Sequence, residues 1–523
     1  MSDSRHRRLG LLAGLLASFP ILASLPVVDP GLARDPPAPG AMDADREPSR
    51  ALEHARPAPP STPPDPLPAA VTTSHKVELP GRTLEFDAIA GAIQVLDGQT
   101  GKPEADVAFV AFLAPGKAPP DRPVTFAING GPGAGSAWLD LGAIGPWRLP
   151  LDGASPSRSP RTIDNAETWL DFTDLVFIDP PGTGYSRILG KAETHRHRFY
   201  SVAGDIEALA VVIRKWLATY GRLASPKFMV GESYGGFRGP KLARRLQDHE
   251  GIGLRGLVLV SPVLDFSWFN GAANPLPFVT RLPSQAAVVR GLDARQGRAG
   301  LADVEAYAAG PYIVDLLRGT RDAATLDRIA ATVARFTGLD PALVRTLGGR
   351  VDLATFSRER DRSSGKISSI YDGRISGFDA APYAARAENS DPVLDAAKTP
   401  LATAMAELTS RRLGWNIAAR YEILNEAVNR QWDWGTGKCR AEALSDLSRV
   451  LALDPEFRVL VAHGLTDLVT PYFATKLLLD QVPSLGAPDR LELEVYSGGH
   501  MFYFDDTARA AFRTDARRLI ERK

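Results

Sequence analysis

Short apolar runs built from residues suited to extended chain recur along the first half of the sequence, separated by stretches with helical periodicity. They are Pro123–Ile128, Asp174–Ile178, Lys227–Val230 and Leu257–Val260, and residues 200–220 between the second and third read as a long amphipathic helix. Runs that are apolar at nearly every position must be covered on both faces, and the intervening helices supply the cover. The pattern therefore predicts an α/β class with a mostly parallel central sheet between helical layers. Upstream, residues 75–113 alternate in polarity and contain the turn signals Pro80-Gly81 and Asp97-Gly98, which predicts antiparallel strands or hairpins. The alternation of strand and helix stops after Asp265 and resumes only at Arg458–Val461 and Leu491–Val495, with Ala508, Phe512, Ala516 and Leu519 on one face of a closing helix. A structureless loop of that length is foreign to a compact domain. Helical spacing of Leu326, Ile329, Val333 and Phe336, and of Leu444, Leu447 and Leu451, makes residues 266–455 a largely helical cap insertion between two parts of the core, 73–265 and 456–523.

The N-terminus reads as a targeting segment. Arg5, Arg7 and Arg8 precede the apolar stretch Leu9–Leu25, and Gly31-Leu32-Ala33 has the small-x-small form of a cleavage site, so residues 1–33 are expected to be a signal peptide. An uncleaved anchor is the alternative; Pro20 and Pro26 make it a poor spanning helix. Residues 34–72 are rich in Pro, Ala, Asp and Arg without apolar periodicity, as in a disordered linker. The lone cysteine, Cys439, excludes an intramolecular disulfide and fits an exported protein, periplasmic or secreted from a bacterium, that does without such bridges. Lys plus Arg and Asp plus Glu each number 61, so no net field points to nucleic acid or to an anionic membrane. His195 and His197 are interleaved with arginine and lack a carboxylate partner pattern; they read as a solvated loop, and no metal or other cofactor is expected.

The chemistry concentrates at Gly231-Glu232-Ser233-Tyr234-Gly235-Gly236, which follows the run ending at Val230 and precedes a helical pattern. Strand, small-residue corner and helix together form a turn that lifts a serine hydroxyl above the sheet edge, where it can act as a nucleophile given a base. In this arrangement the acid and then the base follow the nucleophile along the chain. Only His249, His463 and His500 lie beyond Ser233. His249 belongs to a polar helix end and His463 to a strand, whereas His500 follows a strand and Gly498-Gly499, at the edge where functional residues of parallel sheets gather. Asp467, on the loop after the preceding strand, is the acid expected to orient it, with Asp265 as runner-up. Tyr234 and the loop Asn129-Gly130-Gly131-Pro132-Gly133 are expected to offer backbone N–H groups to an oxyanion. A phosphate-cradling role for that loop lacks the Gly-Lys-Ser/Thr it needs.

Four blocks in order, Asn129–Gly133, Asp179-Pro180-Pro181-Gly182-Thr183-Gly184-Tyr185-Ser186, Gly231–Gly236 and Gly498-Gly499-His500-Met501, resemble those of the serine carboxypeptidases of the carboxypeptidase Y and wheat carboxypeptidase family. The resemblance runs from about His75 to the C-terminus, interrupted by the cap. It implies the α/β-hydrolase fold and removal of single residues from peptides with a free C-terminus, often at acidic pH. It assigns Ser233, Asp467 and His500 to catalysis, Gly131 and Tyr234 to the oxyanion hole, and Asn129 and Glu232 to the substrate's terminal carboxylate. Two carboxyl groups in hydrogen-bond contact cannot both be charged, so a protonated Glu232 would donate to that carboxylate; the alternative is that Glu232 merely caps the next helix. Three positions depart from the family: Ala134 and Thr470 stand where cysteines are common, and Ala143 where many members have a second glutamate. Loss of that glutamate thins the carboxylate-binding network. An esterase or acyltransferase on the same fold would keep Ser233, Asp467 and His500 without needing Asn129 or Glu232, and a non-catalytic binding module would need none of them.

Overall fold

The computed structural model describes residues 66–116, 121–189, 197–271, 273–292, 296–384, 391–435 and 441–522, all within one compact unit. The expected signal peptide, most of the expected linker, His195 and Cys439 lie outside the described residues.

A ten-stranded sheet organises the chain. Its strands are β1 (Val71–Leu79), β2 (Arg82–Leu96), β3 (Pro103–Leu113), β4 (Val124–Ile128), β5 (Asp174–Ile178), β6 (Lys227–Glu232), β7 (Gly256–Val260), β8 (Arg458–Gly464) and β9 (Leu491–Tyr496), in the order β1-β2-β3-β5-β4-β6-β7-β8-β9, with the short strand Arg187–Ile188 beside β3. Strand β1 begins at Val71, inside the stretch read as linker. The first three strands pair antiparallel and β3 meets β5 antiparallel; from β5 across to β9 every pairing is parallel. This is the mostly parallel α/β-hydrolase sheet with an antiparallel edge.

Alternate residues of the parallel strands enter two different cores, as the period-two geometry of a strand requires. Phe228, Val230, Val258, Val260 and Leu460 face one cluster, which takes in Phe512 and Ala516 from the closing helix α8 (Asp506–Glu521). Met229, Leu257, Leu259, Val459 and Val461 face the other, filled by α1 (Val202–Thr219) and α2 (Tyr234–Arg245). Burial on both sides explains why these strands are uniformly apolar in sequence.

The stretch between β7 and β8 contributes to three clusters. Helices α3 (Leu276–Arg290) and α4 (Ala323–Thr337) pack together with Leu465, Leu468 and Tyr472, the last from α7 (Tyr472–Leu479). Helix α5 (Leu394–Glu407) joins the core on the α8 face, and α6 (Leu444–Leu453) joins α2 on the opposite face. A two-stranded hairpin, Lys366–Ser368 with Ser376–Phe378, lies between α4 and α5 in the chain.

Candidate active site

Ser233 joins β6 to α2 with φ 59° and ψ −116°, a conformation side-chain-bearing residues rarely adopt. The corner closes because side chains are missing at two points. A Cβ on Gly231 would lie 2.1 Å from the Gly235 carbonyl oxygen, and one on Gly235 would lie 2.4 Å from that of Ile128. The Ser233 N–H donates to the Val260 carbonyl at 2.8 Å, which ties the turn to the neighbouring strand.

His500 and Asp467 leave the C-terminal ends of β9 and β8. His500 Nδ1 is 2.8 Å from Asp467 Oδ2, and both residues are buried. Asp467 Oδ1 accepts the backbone N–H groups of Val469 at 2.9 Å and Thr470 at 3.0 Å. An acceptor-only carboxylate at Nδ1 holds the proton on that nitrogen and leaves Nε2 with its lone pair free to act as a base. Burial opposes a charge on His500, but the Asp467 carboxylate and its hydrogen bond, with the charge of Glu232, outweigh it and raise the imidazole above its ordinary value. Thr470 reinforces this pair: its Oγ1 is 2.6 Å from Asp467 Oδ2, 3.0 Å from His500 Nδ1 and 3.0 Å from the Ser261 carbonyl oxygen. The His500 main chain is held on both sides, by its N–H donating to the Tyr371 carbonyl at 2.6 Å and by Ser261 Oγ donating to its carbonyl at 2.8 Å. Nothing in the sequence marks Thr470, Ser261 or Tyr371 for this task, because all three reach His500 from loops distant in the chain.

The competing residues lie elsewhere. Asp265 caps the short helix Phe266–Trp268 and accepts the Ser267 N–H at 2.8 Å. His249 is exposed at the end of the helical segment after α2. His463 is buried within β8 with Nε2 2.9 Å from Thr475 Oγ1, and burial lowers it to about 4.

Ser233, His500, Glu232, Asn129 and Gly131 line one cavity of about 130 Å³. The loop after β4 passes so close to the corner that a Cβ on Gly130 would fall 2.7 Å from Tyr234 N and 2.9 Å from Ser233 Cβ. This brings the loop carrying Gly131 against the Tyr234 N–H, which as the first residue of α2 has no intrahelical acceptor. Arg238 sets the loop's position. Wholly buried, it donates to the Asn129 carbonyl oxygen and forms a two-pronged ion pair with Asp205 of α1, at 2.7 and 3.2 Å. Asp179, from the second of the four blocks, braces the far end of the same loop. It accepts Ser136 N–H, Ser136 Oγ–H and Tyr421 O–H, each at 2.8 Å.

Glu232 points into this site and is only 4 % exposed. Asn129 Nδ2 donates to its Oε2, and Asn129 Oδ1 accepts the Leu139 N–H at 3.2 Å, which orients the amide. Tyr503 Oη donates to the two carboxyl oxygens at 2.8 and 2.9 Å. Burial drives the carboxyl up to about 7, against the opposing pull of His500 and of these two hydrogen bonds. Ala143 is buried in the same loop. A second cavity of about 430 Å³ shares Tyr371 and Met501 with the first and is walled by Leu151, Ile375, Val393 and Phe504, with the Arg374–Asp372 ion pair at its side.

A mostly parallel sheet that lifts a serine on such a corner, with its acid and histidine arriving on later strands, defines an α/β-hydrolase. Residues 82–270 match the model of the serine carboxypeptidase family. Among curated relatives, Serine carboxypeptidase-like 5 of Arabidopsis thaliana is 28% identical over 200 residues, 36% of this chain and 43% of the relative. Serine carboxypeptidase-like 33 of the same plant is 28% identical over 172 residues, 31% of this chain and 34% of the relative. The chain thus spans less than half the length of these relatives. Among solved structures, that of VinJ overlaps 82% of this chain and 98% of its own, with a TM-score of 0.36 and 16% identity.

Proposed function

We propose that this protein is a serine carboxypeptidase that hydrolyses the last peptide bond of substrates with a free C-terminus. Ser233 attacks the scissile carbonyl while His500 Nε2 takes its proton; the Gly131 and Tyr234 N–H groups receive the oxyanion. His500, steadied by Asp467 and Thr470, then gives the proton to the departing amino group. Water repeats the sequence on the acyl-enzyme.

One observation carries the reading beyond a general hydrolase: a buried carboxyl group, Glu232, adjacent to the nucleophile and lining its cavity, raised to about 7. A protonated carboxyl there donates to a substrate carboxylate; a charged one repels it. Ala143, by removing one of the family's acids, is the observation that favours an esterase or acyltransferase instead. The larger cavity beside Tyr371 offers mostly apolar walls to a substrate side chain. We also propose export with cleavage after Ala33, read out by N-terminal sequencing of secreted material. The activity itself is tested by mass spectrometry of peptides incubated with the enzyme. Stepwise loss of single residues from the C-terminus, absent in Ser233→Ala, is expected; internal cleavage, or undiminished activity in that variant, overturns the proposal.

A further inference from the structure

We propose that Tyr503 is the positioning residue for Glu232, standing in for the second carboxyl group that Ala143 cannot supply, and that its hydroxyl sets the pH above which the site ceases to accept a free C-terminal carboxylate. The inference rests on the carboxypeptidase reading above.

Tyr503 lies three residues beyond His500, in the short helical turn Phe502–Phe504, and is wholly buried. Its ring lies against the loop that carries Ala143: a Cβ on Gly142 would come within 3.1 Å of Tyr503 Cε2. Its carbonyl accepts from Arg509 Nη1 at 3.0 Å, and Arg509 is anchored in turn to Asp506 and Glu167, which fixes the turn. The phenol is a permanent donor in this setting, since burial and then the Glu232 charge hold its own ionisation far above the usual range.

A carboxyl paired with a second carboxyl shares one proton between them, and either can hold it. A carboxyl paired with a phenol cannot do this. Tyr503 and Asn129 both donate to Glu232, so the inward lone pairs of the carboxyl are occupied by donors. With these donors on its inward lone pairs and the Asn129 amide oxygen turned to the Leu139 N–H, the acid proton of Glu232 is directed into the cavity, where a substrate carboxylate would receive it. The same two donors favour the charged form and oppose burial. The other groups that act on Glu232 are His500, which lowers it, and Asp467, which raises it; the Tyr371 phenol, in the same cavity, is held protonated by burial.

Removing the hydroxyl withdraws one donor from the charged form, so the carboxyl must rise. In Tyr503→Phe, the alkaline limb of kcat/KM for a blocked dipeptide with a free carboxylate is expected to move up by about 1 pH unit. The profile of the corresponding methyl ester carries no such movement. In a Glu232→Gln background the Phe substitution should leave the acid profile in place. Should the Phe variant not accumulate as folded protein, Tyr503→Met withdraws the same donor and is read the same way. An unmoved limb in a protein that prefers the free acid, or an equal loss on acid and ester without a change of profile, overturns the role of Tyr503 alone. A wild type indifferent to the free carboxylate overturns both this inference and the functional reading.

Discussion

Replacing Glu232 by Gln separates the charge of this residue from its shape. In the wild type the carboxyl, lifted to about 7, must hold its proton to accept a substrate carboxylate. At that value it is half protonated, and two units above it about 1 %, so kcat/KM for a free-acid dipeptide should fall about 50-fold between pH 7 and 9, about 2.3 kcal/mol. Glutamine keeps an N–H donor toward the cavity and an oxygen for Tyr503 and Asn129, but it does not titrate. Exchange of an acid O–H for an amide N–H should cost about tenfold at pH 5, of the order of one hydrogen bond. The variant should then hold its rate as pH rises and overtake the wild type above about pH 8, where the wild type has itself lost about tenfold. A second signature follows from His500, which Glu232 helps to raise: without that charge the imidazole gives up its proton at lower pH, and the acid limb moves down. The assay is steady-state hydrolysis of a blocked dipeptide from pH 5 to 9, beside its methyl ester. A variant whose alkaline limb stays where the wild type has it refutes the role given to Glu232, as does a tenfold loss on the ester at pH 5.

Thr470→Val removes the hydroxyl that touches Asp467 Oδ2, His500 Nδ1 and the Ser261 carbonyl, so kcat should fall by about tenfold with KM little changed; an unaltered kcat would show that backbone contacts alone hold the pair. Asp140 is wholly buried with neither carboxyl oxygen hydrogen-bonded among the described residues, and burial raises it well above its ordinary range. A carboxyl raised in the folded protein stabilises it fully only below the unfolded value near 4, and that stability is lost as pH climbs toward the folded value. Asp140→Asn should therefore gain on the wild type in urea unfolding as pH rises from 4 to 8, by about 1–3 kcal/mol at the upper end; a constant difference across that range would contradict the assignment.

The sheet and the corner were legible because their causes are local. Uniformly apolar strands such as Asp174–Ile178 announce burial on both faces, and Gly231 and Gly235 flank Ser233 because backbone oxygens occupy the space of a side chain. Chain order leaves three histidines as base, and the elements that carry them favour His500, with Asp467 as the acid ahead of Asp265; His500 and Asp467 lie in hydrogen-bond contact. What was hidden depends on contacts between distant segments. Tyr503 reads as one aromatic in the run Phe502-Tyr503-Phe504, and only the fold brings its hydroxyl to Glu232. Arg238 is buried between Asp205 and the Asn129 carbonyl, partners that only the fold brings to it. The stretch after Asp265 was legible as helices but not as layers, since Leu401 of α5 and Leu447 of α6 have the same periodicity and pack on opposite faces of the sheet.

The central claim is that the site reads a free C-terminal carboxylate. It is tested most directly by the ratio of kcat/KM for one peptide as the free acid and as its C-terminal amide, measured at pH 5, where Glu232 is protonated. The account predicts a preference for the acid of at least about 100-fold, the value of a lost hydrogen-bonded charge of about 2.7 kcal/mol. Equal rates for acid and amide would contradict it.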